Sequence, residues 1–294
     1  MIDITLANQW FQGRSGNTRA STGRETTLTK SIFIFSLEYE SLNPDIYRCP
    51  VFIKNNMDTK DIMEIIIEGL LWYGVFIFST TCHEAAHAFA SLKLGDKTAY
   101  EGGQVTLDPI PHIRREPVGT IVFPWLSFFM GGWMIGWASA PYDPIWAMRF
   151  PKRSALMSLA GPLSNLVIVV ISVIFIRLGI MCDVFYEPDL VNFSRITEAA
   201  NPGIFEGVAK ILSILFSLNL ILCFFNLLPL PPLDGSGVIP MFLSEDMARK
   251  YMDIIHNQVF SFLGLMLAWK VFDYVFDPIH LFAINLLYPG GGYQ

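Results

Sequence analysis

The chain has 294 residues, of which 52% are apolar and only 16% charged, with a mean hydropathy of +0.44. Soluble domains carry about 25% charged residues, so too little polar sequence remains here to cover the core of a large soluble protein. The net charge of −6 comes without any Lys/Arg-rich block, which argues against a nucleic-acid partner.

In chain order, residues 1–30 are rich in Ser, Thr, Gly, Asn and Arg. Residues 1–56 read as a poorly ordered polar tail ahead of a membrane-embedded domain over 57–294. A first helix is expected from about Asp61 to Leu94, uncharged over 69–82 and ended by Gly95-Asp96. Gln104 to Leu107 alternates in polarity between Gly102-Gly103 and Pro109, which suggests a short strand. Residues 118–137 are apolar but broken by Gly119, Pro124, Gly131, Gly132 and Gly136.

A second helix is expected from near Ser154 to Arg177, and a third from about Val208 to Leu228. A polar, mostly acidic loop over 178–207 separates them. The third helix runs into Pro229-Leu230-Pro231-Pro232-Leu233-Asp234-Gly235. Val259 to Tyr288 makes one or two more helices, interrupted near Asp277-Pro278. Residues 117–142, 154–176 and 211–233 contain no Asp, Glu, Lys or Arg. About 20 apolar residues cross the hydrocarbon core as a helix, so each stretch is long enough. The fold class is an all-α polytopic membrane protein, a bundle of about five to six transmembrane helices with a small membrane-associated β-strand or re-entrant element. The four cysteines (Cys49, Cys82, Cys182, Cys223) show no paired metal-type spacing, and no disulfide is expected.

The chemistry concentrates at Thr80-Thr81-Cys82-His83-Glu84-Ala85-Ala86-His87, a His-Glu-x-x-His signature in an apolar helix. Four residues apart, His83 and His87 face the same way, and both imidazoles can reach one tetrahedral zinc. Glu84 then lies beside the metal without ligating it, placed to take a proton from water there. Ionisable groups in such a helix need partners and usually mark function. Asp234 is the natural third ligand. It follows a proline cluster, and irregular backbone at membrane depth is tolerated only where protein or a watery cavity covers it.

His83-Glu84-x-x-His87, the Gly161-Pro162-Leu163-Ser164-Asn165 box and Asn226-Leu227-Leu228-Pro229 through Leu233-Asp234-Gly235 together resemble the site-2 protease family of zinc intramembrane metalloproteases. The resemblance covers roughly residues 60–250. Val105-Thr106-Leu107-Asp108-Pro109 with His112, then Gly136-Trp137-Ala138, resemble its compact branch without a PDZ domain. It implies one Zn2+ per chain held by His83, His87 and Asp234, with Glu84 as catalytic base. It also implies that Asn165 binds substrate or steadies the oxyanion. Ser139 stands where compact members commonly have lysine. His112, between prolines, reads as a solvated loop histidine that could assist the site.

For these pieces to meet, the first helix must end, the second begin and the third end on one side. Arg114, Arg115, Arg149, Lys152, Arg153, Arg249 and Lys250 cluster there, which points that side toward the cytoplasm of a cell membrane. Residues 118–137 must then return to the side they left, as a re-entrant hairpin or as a span whose return is made by 138–150. The expected activity is hydrolysis of peptide bonds in or near transmembrane segments of membrane-protein substrates, with the lipid bilayer as surroundings. A substrate segment would be held by edge pairing on the 103–108 strand. The alternatives are a membrane zinc protease acting on other chains, a non-catalytic scaffold or chaperone, and a metal transporter.

Overall fold

The computed structural model describes residues 58–255 and 257–291, so the reading of residues 1–56 as a tail lies outside the described residues. Helix α1 spans Thr59–Leu94. Asp58 starts it by accepting from the Lys60 and Asp61 amides, while the Asp61 carboxylate accepts from the Asp58 amide. This reciprocal pair satisfies donors that have no partner inside the helix. Short helices α2 (Thr98–Glu101) and α3 (Pro109–Arg115) follow. A π-helical turn over Val118–Val122 leads into α4 (Phe123–Gly131). Helix α5 (Pro144–Arg149) precedes the long α6 (Pro151–Met181), and the two-residue strands β1 (Phe185–Tyr186) and β2 (Glu198–Ala199) pair antiparallel. Then come α7 (Ile204–Asn226), α8 (Asp234–Val238), α9 (Glu245–Ile255) and α10 (Gln258–Leu287).

Helix α6 is the axis of the bundle and packs against both α1 and α7. Its inward face carries Ser154, Ser158, Asn165 and Ser172, all buried, and its outward face carries exposed Val167, Val170, Ile171, Ile174 and Phe175. That arrangement is inverted for water and natural for lipid, where small and polar residues let helices approach and apolar ones face the acyl chains. Three described helices, α1, α6 and α7, are long and apolar enough to cross a membrane. A fourth crossing is reached if Glu245–Ile255 and Gln258–Phe272, bent by 83°, form one span. The protein is thus an all-α integral membrane protein, with fewer full-length apolar helices than the five to six expected.

The difference has two sources. Residues 118–137 do not extend far enough to cross: α4 stops at Gly131, and the chain returns through bends and irregular backbone. The Trp137 amide donates to the Gly119 carbonyl at 3.1 Å, which closes a hairpin. Its two arms touch through glycines, since a Cβ at Gly119 would strike Trp137 and one at Gly136 would strike the Gly119 carbonyl. This geometry matches the re-entrant alternative. Residues 245–255 are too polar to be lipid-covered all round, and α9 buries only Ala248 and Met252.

Two other expectations differ from the fold. Residues 105–107 form bends rather than a strand, because no strand among the described residues offers them a ladder. The Gln104 amide instead bonds the Ala99 carbonyl, and Asp108 turns the chain into α3 by accepting from Ile110. The small sheet lies in the loop between α6 and α7 instead. Helix α10 also runs through Pro278 without interruption. Proline removes one helical hydrogen bond, but its fixed φ is helical.

Candidate metal centre

Ser79, His83, His87 and Ser91 recur every four residues along α1 and form one buried stripe toward α6 and α7. The proline-rich turn after α7 delivers Asp234 to the same place, at the first position of α8. His83 Nε2 lies 3.0 Å from Asp234 Oδ2 and 3.0 Å from His87 Nε2, and His87 Nε2 lies 3.3 Å from Asp234 Oδ2. All three residues are buried, at 3% exposure or less.

The donor inventory of this triangle is unusual. His87 Nδ1 lies 2.8 Å from the Met157 carbonyl, which can only accept, so that nitrogen carries the ring proton. In the neutral ring Nε2 is then a bare acceptor, and it faces a carboxylate oxygen that is also an acceptor. Asp234 Oδ1 and Glu84 Oε2 are buried with no hydrogen-bond partner among the described residues. Buried acceptors that converge without a donor are costly, and a cation resolves the conflict. Ligand atoms about 2.0–2.1 Å from a common tetrahedral centre lie roughly 3.3 Å apart, close to the separations here. The residues therefore fit a zinc ion, with His83, His87 and Asp234 as its donors.

Close packing shapes the site. A Cβ at Gly161 of α6 would run into the Nε2 atoms of both His83 and His87, so only glycine lets the helix pass this near the imidazoles. The Glu84 carboxylate is within electrostatic reach of His83, His87 and Asp234 and takes a backbone hydrogen bond from Ala140, in the returning arm of the hairpin. A pocket beside Asp234 is lined by Tyr142, Ser154, Ser158, Leu233 and Gly237, with Met252 of α9 along its edge.

The other sequence-derived candidates fall in different places. Asn165 is fully buried behind His83, its oxygen 2.5 Å from His83 Nδ1 and its amide nitrogen donating to Asn219 at 2.8 Å. It is not turned toward the pocket. His112 is not a solvated loop residue: it is 2% exposed and donates through Nε2 to the Thr106 carbonyl at 3.1 Å, holding the 104–108 turn. Sequence reasoning overlooked Asn219, Ser79, Tyr142 and the steric role of Gly161. The signal for Asn219 was available, since an amide inside the charge-free run 211–233 has to be satisfied by something.

Comparison with known proteins narrows the chemistry. Residues 70–270 match the profile of Peptidase family M50. The chain is 36% identical over 222 residues to the "Putative zinc metalloprotease YwhC" of Bacillus subtilis, covering 69% of this chain and 91% of the relative. It is 29% identical over 224 residues to the similarly named Rip2 of Mycobacterium tuberculosis, covering 73% of this chain and 76% of the relative. Rip2 of Mycolicibacterium smegmatis is 28% identical over 190 residues, covering 62% of this chain and 64% of that protein. No solved structure gives a significant match. A family profile matched across more than half the chain, together with a relative aligned over nearly its whole length, makes this protein a membrane-embedded zinc metallopeptidase of Peptidase family M50, the site-2 protease family.

Proposed function

We propose that this metallopeptidase cuts peptide bonds in or near transmembrane segments of other membrane proteins, using one zinc per chain held by His83, His87 and Asp234. The supporting observation is the burial of the donors: all three are enclosed by protein on or beside helices whose outer faces are apolar. A substrate that reaches them comes from the membrane or through the pocket beside Asp234.

Bound zinc supplies Lewis acidity and brings the pKa of a water at the site to about 7. Glu84 is the base that accepts the proton of the attacking water and then delivers it to the leaving amine. Its burial and the Ala140 contact hold the carboxylate in one orientation beside the three donors. Water is limited to what the pocket admits, which keeps this electrostatic environment strong. The scissile segment has to unwind first, because the carbonyls of a helix are hydrogen-bonded and covered. Residues 103–108 form a turn and bends and give a substrate segment no strand edge to pair with.

His83 and His87 lie in the later turns of α1, and Asp234 follows the end of α7; Arg114, Arg115, Arg149, Lys152, Arg153, Arg249 and Lys250 all fall in the short segments and first helical turns that follow α1, begin α6 or follow α7. By the positive-inside tendency the site faces the cytoplasm, with a plasma membrane as host. The direct test reconstitutes the purified protein in liposomes with a single-span substrate and locates the cut by mass spectrometry. Chelator-sensitive cleavage within or beside the span is expected. Cuts confined to a soluble domain distant from the span would sink the intramembrane reading.

A further inference from the structure

Whether His83 can ligate depends on which of its ring nitrogens carries the proton. We propose that Asn219 and Asn165 form a positioning relay that fixes this tautomer and so leaves Nε2 bare for the metal. This inference rests on the reading of His83 as a ligand.

The relay is anchored at a group with no freedom. The Leu215 carbonyl can only accept, and Asn219 Nδ2 lies 2.8 Å from it and 2.8 Å from Ser79 Oγ. That fixes which end of the Asn219 amide is nitrogen, and its oxygen must then face Asn165. Asn165 Nδ2 donates to it at 2.8 Å, which turns the Asn165 oxygen toward His83 Nδ1 at 2.5 Å. The proton therefore sits on Nδ1, and the lone pair on Nε2 points at Asp234 Oδ2, 3.0 Å away. Ser79, Asn165 and Asn219 are all 0% exposed, so no bulk water competes for these amides. His87 needs no such chain, because the Met157 carbonyl holds its Nδ1 proton directly. Without Asn219, the Asn165 amide can turn over, present its N–H groups to Nδ1 and move the ring proton to Nε2, where it blocks ligation. Partners of this kind orient metal-binding histidines, and their loss costs about 10–100-fold in metal affinity.

The test measures zinc affinity of the full-length protein in detergent by competition with a chelator. Asn219→Leu is expected to weaken zinc binding about 10–100-fold. Asn165→Asp sets the reference background: its carboxylate accepts from His83 Nδ1 through either oxygen without an orienting partner, while its other oxygen faces the fixed oxygen of Asn219, an acceptor that Asn219→Leu removes. Adding Asn219→Leu to Asn165→Asp should therefore cost little more. Equal weakening by Asn219→Leu in both backgrounds marks a packing role and overturns the relay, as does no weakening in either. Should Asn219→Leu fail to fold, the wild type decides alone: nitrogen NMR of the metal-stripped protein at alkaline pH should show the His83 proton on Nδ1, and a proton on Nε2 overturns the proposal. His83→Ala separates the two claims, since retained wild-type zinc affinity there removes the ligand reading itself.

Discussion

Asp234 Oδ2 and His83 Nε2 stand 3.0 Å apart although 151 residues separate them in the chain. Both atoms are acceptors when the imidazole proton is on Nδ1, so their approach makes sense around a cation. Asp234→Asn keeps size and shape at the start of α8 but removes the charge. It is expected to lower zinc affinity by more than the roughly 10–100-fold cost of losing a supporting partner. Helical circular dichroism should be unchanged. Wild-type zinc content in that variant, measured after dialysis against chelator, would remove Asp234 from the ligand set.

Glu84 shares the site but not the ligand triangle. It is 2% exposed, and its Oε2 has no hydrogen-bond partner among the described residues. Glu84→Gln keeps the shape and deletes the basic oxygen. Zinc content should stay at the wild-type level while cleavage falls by about 10²–10⁴-fold, the usual contribution of positioned proton transfer. Parallel metal analysis and a cleavage time course check this. Loss of zinc together with activity would instead make Glu84 a ligand or a structural support.

Gly161 tests the steric side of the same geometry. An added Cβ would meet the Nε2 atoms of His83 and His87, while α6 is otherwise unchanged. Overpacking of this kind costs about 1–3 kcal/mol. The strain falls on the two imidazole edges that would face the proposed metal, so Gly161→Ala should lose zinc affinity more sharply than thermal stability. A variant with full zinc affinity would show that the helices can separate at this point without disturbing the site.

The parts of this site that were legible in the sequence obey short-range rules. The spacing of His83 and His87 sets a shared helix face, Gly95 marks the end of α1 with a left-handed φ of 110°, and the prolines after α7 require an irregular turn before Asp234. Asn219 was legible only as a buried amide in need of some partner and Ser79 not at all, because the partners they meet depend on which helix packs against which. The 104–107 alternation was misleading for the same reason, since a strand exists only where a neighbour supplies the ladder. Nor does hydropathy distinguish a crossing from a hairpin. The return of residues 132–137 depends on the contact between Gly119 and Gly136, which composition does not encode.

His112 offers a pH test away from the metal. It is 2% exposed, donates through Nε2 to Thr106, and its Nδ1 has no partner among the described residues. Burial lowers its pKa below the ordinary 6.5, and the Thr106 and Asp108 interactions oppose this only in part. Above pH 6.5 the ring is neutral in both folded and unfolded chains, and it contributes no pH dependence. As pH falls below that value the unfolded chain takes up the proton first, so stability declines until the folded-state pKa is also passed. Each unit of difference is worth about 1.4 kcal/mol. His112→Gln retains an N–H for the Thr106 carbonyl but cannot titrate. The wild type should therefore lose thermal stability as pH drops from 6.5, and the variant should show a flatter profile. Superimposable profiles for the two proteins in detergent would mean that the buried ring does not set the acid sensitivity of the 104–112 turn.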